Sequence, residues 1–192
     1  MKVISFIWQP YDIGLAGFGV MIYGDVGWAC DDFVLDDNYY IDEIYVWMMW
    51  PFGQASVMNF VISEDDMGDW DPNTNTDVWA ESVPCTNTWT GDTGWGYDIY
   101  ETHCIISADV YPELTAGVHY YFEVQADIGV NYAMLFSNNL VGDYCWFDIN
   151  GSGSYTRSDI LFGAGMDMFF DFWGEPVSAL ESETWGSIKT LF

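Results

Sequence analysis

Positive charge is almost missing from this chain. Three basic residues (Lys2, Arg157 and Lys189) stand against 30 Asp and Glu in 192 residues, for a formal net charge of −27. Nucleic-acid recognition needs Lys and Arg on phosphate, so that partner class is excluded, and an anionic membrane surface is repelled by the same field. Long apolar runs are missing as well: nothing approaches the ~18 residues that a membrane-spanning helix needs. Histidine is reduced to His103 and His119. The sequence has no His-Glu-x-x-His, no Gly-x-Ser-x-Gly and no Gly-x-x-x-x-Gly-Lys, so the common zinc, serine-nucleophile and phosphate-loop chemistries have no anchor. His103 precedes Cys104, but neighbours on a strand point to opposite faces and would not form a Cys/His pair. A glycosidase needs only two carboxylates, and nothing marks any two of these acids. The expectation is that the chain is not an enzyme.

What the sequence does hold is apolar and aromatic. Half of it is hydrophobic by type and 19% is Phe, Trp or Tyr. A disordered acidic tail would lack those side chains, so the chain should fold, with an anionic skin over an aromatic interior. Halophilic acidity alone would not account for so many large apolar residues. Residues 1–8 contain one lysine and an apolar run stopped by Gln9-Pro10, too short for a signal-peptide core. The composition points to an extracellular or cell-surface protein whose export signal has been removed. Cysteine fits that compartment: Cys30, Cys85, Cys104 and Cys145 are even in number, and none lies in a Cys-x-x-Cys pair. Two disulfides are expected, Cys85 with Cys104 and Cys30 with Cys145, although four cysteines allow three connectivities and buried free thiols are the alternative. Asn150-Gly151-Ser152 is the only N-glycosylation sequon.

Short β-rich runs broken by Gly, Asn, Asp and Pro recur along the chain, with no helical period between them. In Tyr120–Ala126, Tyr120, Phe122, Val124 and Ala126 form a non-polar face, and Tyr121, Glu123 and Gln125 the other, as in a half-buried strand. Many such strands predict an all-β fold, an antiparallel β-sandwich of jelly-roll type. Three parts are expected: residues 1–24 as N-terminal strands that could reach between subunits, 25–174 as the sandwich, and 175–192 as a short helical or extended tail. In that tail Trp185, Ile188 and Phe192 recur at helical spacing.

The run Cys30-Asp31-Asp32-Phe33-Val34-Leu35, then Tyr40-Ile41-Asp42-Glu43-Ile44-Tyr45-Val46-Trp47, resembles the A-D-D-F opening of secreted bacterial β-sandwich modules. Leu114–Tyr121 resembles their L-x-A-G-x-Y-Y strand, and Thr184-Trp185-Gly186-Ser187-Ile188-Lys189 is similar to the C-terminal tails of some of these proteins. Cys30 stands where alanine is usual. The resemblance implies export and a sandwich fold and carries no activity.

Three sets of residues could carry function. Asp65 precedes Asp69, Asp71, Asn73, Asn75 and Asp77, which place oxygen ligands at alternating positions, as a calcium loop does. The match to an EF-hand is poor, and the plainer reading is a solvated loop of turn formers. Asp31, Asp32, Asp36 and Asp37 form a second acidic cluster, more suited to capping turns than to binding metal. Trp89 and Trp95, in a stretch expected to be a loop, could stack on a polysaccharide, as could Trp47 and Trp50. The third set is the apolar ends: Val3, Ile4, Phe6 and Trp8, with Trp185, Ile188, Leu191 and Phe192. Terminal residues fray unless docked, so sticky ends suggest that one completes a neighbouring subunit's sheet. A head-to-tail contact of that kind repeats into a filament when it does not close. The expected function is a self-assembling extracellular subunit, a homo-oligomer or polymer. The alternative is a secreted carbohydrate-binding module.

Overall fold

The computed structural model describes residues 4–8, 16–22, 26–137 and 144–177. The fold is all-β and sandwich-like, as expected. In chain order the strands are β1 (Ile4–Trp8), β2 (Ala16–Ile22), β3 (Trp28–Val34), β4 (Tyr39–Met49), β5 (Val57–Glu64), β6 (Thr76–Gly94), β7 (Tyr97–Ile105), β8 (Glu113–Leu114), β9 (His119–Ala126), β10 (Tyr132–Ser137), β11 (Trp146–Asp148), β12 (Thr156–Arg157), β13 (Asp167–Met168) and β14 (Phe170–Pro176). A five-residue helix, α1 (Ser158–Phe162), follows β12. The tail helix expected over 182–192 lies outside the described residues.

Every pairing is antiparallel. The first sheet runs β1-β14-β4-β7-β6, with β10 joined to β4 and carrying β2 and β13. The second runs β6-β5-β9-β3-β11-β12. Strand β6 belongs to both: Thr76 to Pro84 pairs with β5, and Cys85 to Gly94 pairs with β7. The switch falls at Pro84, which has no N–H for a ladder, and the next N–H, that of Cys85, bonds Ser56 O at 2.9 Å. β1 and β2, in the segment expected to hold N-terminal strands that could reach between subunits, bond to β14 and β10 of the same chain.

Between the sheets lies an aromatic seam. Phe33 of β3 and Phe122 of β9 meet Phe172 of β14 edge-on, with ring centroids 5.3 and 4.7 Å apart, and Phe122 also touches Phe170 at 5.2 Å. Each fully buried phenylalanine contributes about 1.5–3 kcal/mol, with a smaller bonus for edge-to-face geometry. Phe170 and Phe172 reach the same core because they are two apart on a strand. Here the sequence pattern translated directly into packing.

Two expectations need correcting. The stretch Thr88–Trp95 is not a loop but mostly strand, because Thr and Trp suit a pleated surface and the reversal needs only two residues. Trp95 (φ 52°) and Gly96 (φ 87°) both have positive φ, as a type I′ hairpin turn requires, between paired Gly94 and Tyr97. The second correction concerns the cysteines, all four of which are free thiols. The ladder pairs Cys30 with Trp146, not with Cys145, so Cys145 sits one step along and its thiol is not set opposite that of Cys30. Cys85 and Cys104 are direct partners, and a thiol–thiol hydrogen bond lowers the pKa of Cys85. Mild oxidation with a diazene such as diamide, which takes up the two hydrogens, is therefore expected to join Cys85 to Cys104 and leave Cys30 and Cys145 reduced. Closing a loop of that size contributes roughly 3 kcal/mol on the chain-entropy account. Peptide mapping by mass spectrometry, with a thermal melt, checks the linkage and its effect; a Cys30–Cys145 peptide would contradict the register.

A candidate ligand cleft on the second sheet

β9 lies inside the second sheet, with β3 on one side and β5 on the other. Its core face is Tyr120, Phe122, Val124 and Ala126, all buried. Its outer face, Tyr121, Glu123 and Gln125, should meet water on a simple sandwich. Instead Glu123 is only 9% exposed, Gln125 6% and Tyr121 fully buried. The cover comes from two loops. Residues 65–75 and 149–155 are clasped by a reciprocal pair, in which Asn73 Nδ2 donates to Tyr155 O (3.1 Å) and Tyr155 N donates to Asn73 Oδ1 (2.6 Å).

Under the second loop is a cleft of about 440 Å³, lined by Val26, Trp28, Glu123, Gln125, Asp148 and Tyr155 together with Gly151 and Gly153. Glu123 accepts from Ser63 Oγ at 3.3 Å and from the Tyr155 hydroxyl. Burial, helped by the charge of Asp77, raises its pKa above the ordinary carboxylate range, against the opposing pull of those two bonds. Burial and the neighbouring negative charges likewise keep Tyr155 protonated. Gln125 Oε1 accepts from Asn59 Nδ2 at 2.8 Å, and among the described residues nothing accepts from its Nε2. The cleft wall is therefore a hydrogen-bond donor with work left to do.

Asp148 has another task. Its carboxylate accepts from Ser152 N (2.8 Å), Ser152 Oγ (3.0 Å) and Gly153 N (2.6 Å), which shapes the loop that roofs the cleft. Gly151 in that loop has φ +66°, and a Cβ there would lie 2.6 Å from the Val26 carbonyl oxygen. Only glycine fits at that point.

The first loop is held by His119. Its Nδ1 lies 3.0 Å from Asp65 Oδ2 and its Nε2 3.0 Å from Asp32 Oδ2. Two carboxylates on two ring nitrogens require both nitrogens to donate, so the geometry is that of an imidazolium. Trp70 covers the ring at 4.2 Å between centroids, and Tyr121 meets it edge-on at 4.9 Å. Burial alone would lower the His119 pKa; the bonds and charges of Asp32 and Asp65 outweigh it and raise the value. Trp70 has φ 59°, a left-handed conformation rare for a bulky residue.

The residues expected to act from the sequence are distributed differently. In the proposed calcium loop, Asp65 caps Gly68 N (2.8 Å), Asp69 accepts from Asp71 N (3.2 Å) and Thr74 Oγ1 (3.0 Å), and Asp71 caps Asn73 N (2.9 Å) at the start of a short 3₁₀ turn. Asp77 lies on β6 opposite Ser63, and the Asn75 side chain is buried without a partner among the described residues. Among the described residues no three His, Cys, Asp or Glu side chains converge as a metal shell. The second acidic cluster is also split: Asp31 turns inward to accept Met168 N (2.6 Å), Asp32 holds His119, and Asp37 caps Asn38 N (2.8 Å). Trp89 (56% exposed) and Trp95 (58%) stand on the β6–β7 hairpin, apart from the cleft lining, whereas Trp47 and Trp50 are buried. Of the assembly residues, Ile4, Phe6 and Trp8 lie on β1, paired with β14 of the same chain; Val3, Trp185, Ile188, Leu191 and Phe192 lie outside the described residues.

Sequence reasoning missed Trp28, Glu123, Gln125, Asp148, Tyr155 and the role of His119. One signal was available: a polar face on a strand otherwise apolar enough for the interior. No protein-family model and no curated protein sequence matches the chain.

The His119 clasp carries a pH signature. Because its folded pKa is raised, the histidine binds more proton folded than unfolded, so its stabilisation is complete below the unfolded value of about 6.5 and is lost as pH rises through the folded value. Glu123, also raised, acts with the same sign in a lower window. Denaturant melts of the native chain are expected to lose stability above pH 6.5, and His119→Gln is expected to abolish that fall. NMR titration of the imidazole should place its midpoint above 6.5; a midpoint below it would contradict the paired geometry.

Proposed function

We propose that the chain is a carbohydrate-binding module, with the saccharide taken in the cleft between Trp28 and Tyr155. The observation that carries this reading is the Nε2 amide of Gln125, which has no acceptor among the described residues, on a nearly buried side chain that lines the cleft with Glu123, Asp148 and Tyr155. A sugar ring presents hydroxyls that donate to Glu123 and accept from Gln125, and a C–H face that packs on an indole. The volume lies in the range of small-ligand pockets, and carboxylates with one amide donor are a better match to hydroxyls than to an apolar ligand. Export of the module follows the expectation from composition.

Calorimetry against a panel of soluble oligosaccharides tests the site. Trp28→Ala is expected to weaken the best ligand by about ten- to a hundredfold, the range for losing one well-packed aromatic contact. Trp89→Ala and Trp95→Ala should leave affinity unchanged. Loss at the hairpin with no effect of Trp28→Ala would move the site there, and a silent panel would overturn the reading.

The assembly reading keeps one supporting observation: β1 ends the first sheet and has only β14 as a neighbour among the described residues. An open edge can accept another strand. Sedimentation with negative-stain microscopy should then show polymers that disappear when residues 182–192 are deleted or β1 is interrupted by proline. A monodisperse monomer in the native chain would set this reading aside.

A further inference from the structure

We infer that the preferred ligand of this cleft is an amino sugar with a free, positively charged amine, an inference that rests on the saccharide reading above. The cleft has an unequal set of polar groups. Glu123 and Asp148 are both buried, at 9% and 4% exposure, and among the described residues no Lys, Arg or His lines the cleft with them. Arg157 is the only Lys or Arg among the described residues, and it is engaged elsewhere: its guanidinium makes two bonds to Asp159 (2.7 and 2.9 Å) and lies 4.5 Å over the Tyr144 ring. A buried carboxylate without a cationic partner is costly, and a cation brought by the ligand removes that cost.

The positions suit an ammonium group. Asp148 already accepts three bonds from its own loop, whereas Glu123 accepts only two, both from hydroxyls, and keeps more acceptor capacity. Trp28, which lines the same cleft, offers an indole ring of the kind that attracts an ammonium. Gln125 Nε2 then serves a hydroxyl or ring oxygen of the same sugar. The field of the whole molecule, −27, concentrates small cations at its surface and repels uronic acids and sulfated glycans. A neutral sugar can hydrogen-bond both Gln125 and Glu123, but only a cationic sugar also brings a counter-charge to Glu123.

Calorimetry at pH 6 and physiological salt compares a glucosamine disaccharide with its N-acetylated counterpart, which has the same ring and no charge. The free amine is expected to bind about tenfold more tightly, the difference between a charge-assisted and a neutral hydrogen bond. Glu123→Gln should erase that preference while keeping the neutral sugar's affinity, and Asp98→Asn, at an exposed position on the hairpin, should leave it intact. Binding of the amine should also release a proton from Glu123, seen as a heat that varies with buffer; the acetylated sugar should not. If Glu123→Gln fails to fold, Trp28→Leu together with the buffer dependence decides the question. Equal affinity of the two sugars, or a preference that survives Glu123→Gln, would overturn the amine inference and leave the saccharide reading standing. A preference lost equally in Asp98→Asn would mark diffuse attraction and also overturn it. Failure of both sugars and of the wider panel would overturn the saccharide reading itself.

Discussion

A strand hydrogen-bonded on both sides cannot slip by one residue without turning all its side chains over, and β9 is such a strand. Its pairing with β3 and β5 sends Phe122 into the core and Glu123 to the outside. One step of slippage would put a carboxylate into the aromatic seam and a phenyl ring into the cleft. The seam therefore does more than stabilise. By making one register far better than any other, the contacts of Phe122 with Phe170 and Phe172 also fix where Glu123 and Gln125 point. Core and cleft are two faces of one alternation.

The charge imbalance is the second constraint, and among the described residues backbone N–H groups meet much of it. Asp31, Asp37, Asp65, Asp69, Asp71 and Asp148 each accept from at least one backbone N–H. Such bonds stabilise the ionised form and at the same time close turns. A chain with so few Lys and Arg would be expected to place its acids where the backbone turns, because free N–H groups are concentrated there. That accounts for the alternating Asp and Asn of residues 69–75, whose spacing suits successive short turns as well as it suits a cation. Arg157 is paired with Asp159, and His119, set between Asp32 and Asp65, links β3 to the 65–75 loop.

The sheets were legible because strand alternation is a local property. Tyr120–Ala126 could be sorted into two faces by eye, and the Ala116-Gly117 turn before it is found with Gly117 at φ +73°. The cleft was not legible because it depends on distance. Tyr155 reaches Glu123 across 32 positions, and His119 reaches Asp32 across 87; nothing in either neighbourhood announces its partner. The cysteines show the same division. Cys85 and Cys104 flank one hairpin, and the two-residue shift of register between Trp89 and Thr93 brings them opposite each other. Cys30 and Cys145 depend on how a distant strand docks, and they miss by a residue. The Thr88–Trp95 segment failed for a different reason: its glycines read as a loop, yet Gly91 sits at a bulge and the chain stays extended through Gly94.

The outer face of the second sheet is where the chain departs most from what folding alone would select. Val61 of β5 shares that face beside Glu123, so an apolar side chain is tolerated there. Replacing a buried carboxylate by an apolar residue of similar volume is often neutral or stabilising. Asp148 has a structural reason to be charged, since three donors of its loop converge on it. Glu123 does not: its two hydroxyl donors, Ser63 and Tyr155, could each reach water or another acceptor with small shifts. A buried group that folding does not require, beside an amide with no acceptor among the described residues, is better explained by what enters the cleft than by what surrounds it. The electrostatics then give a direction to the ligand's charge. Each wall can donate to or accept from a hydroxyl, but among the groups lining this cleft none can neutralise Glu123, so the missing positive charge is the part of the site that the ligand supplies.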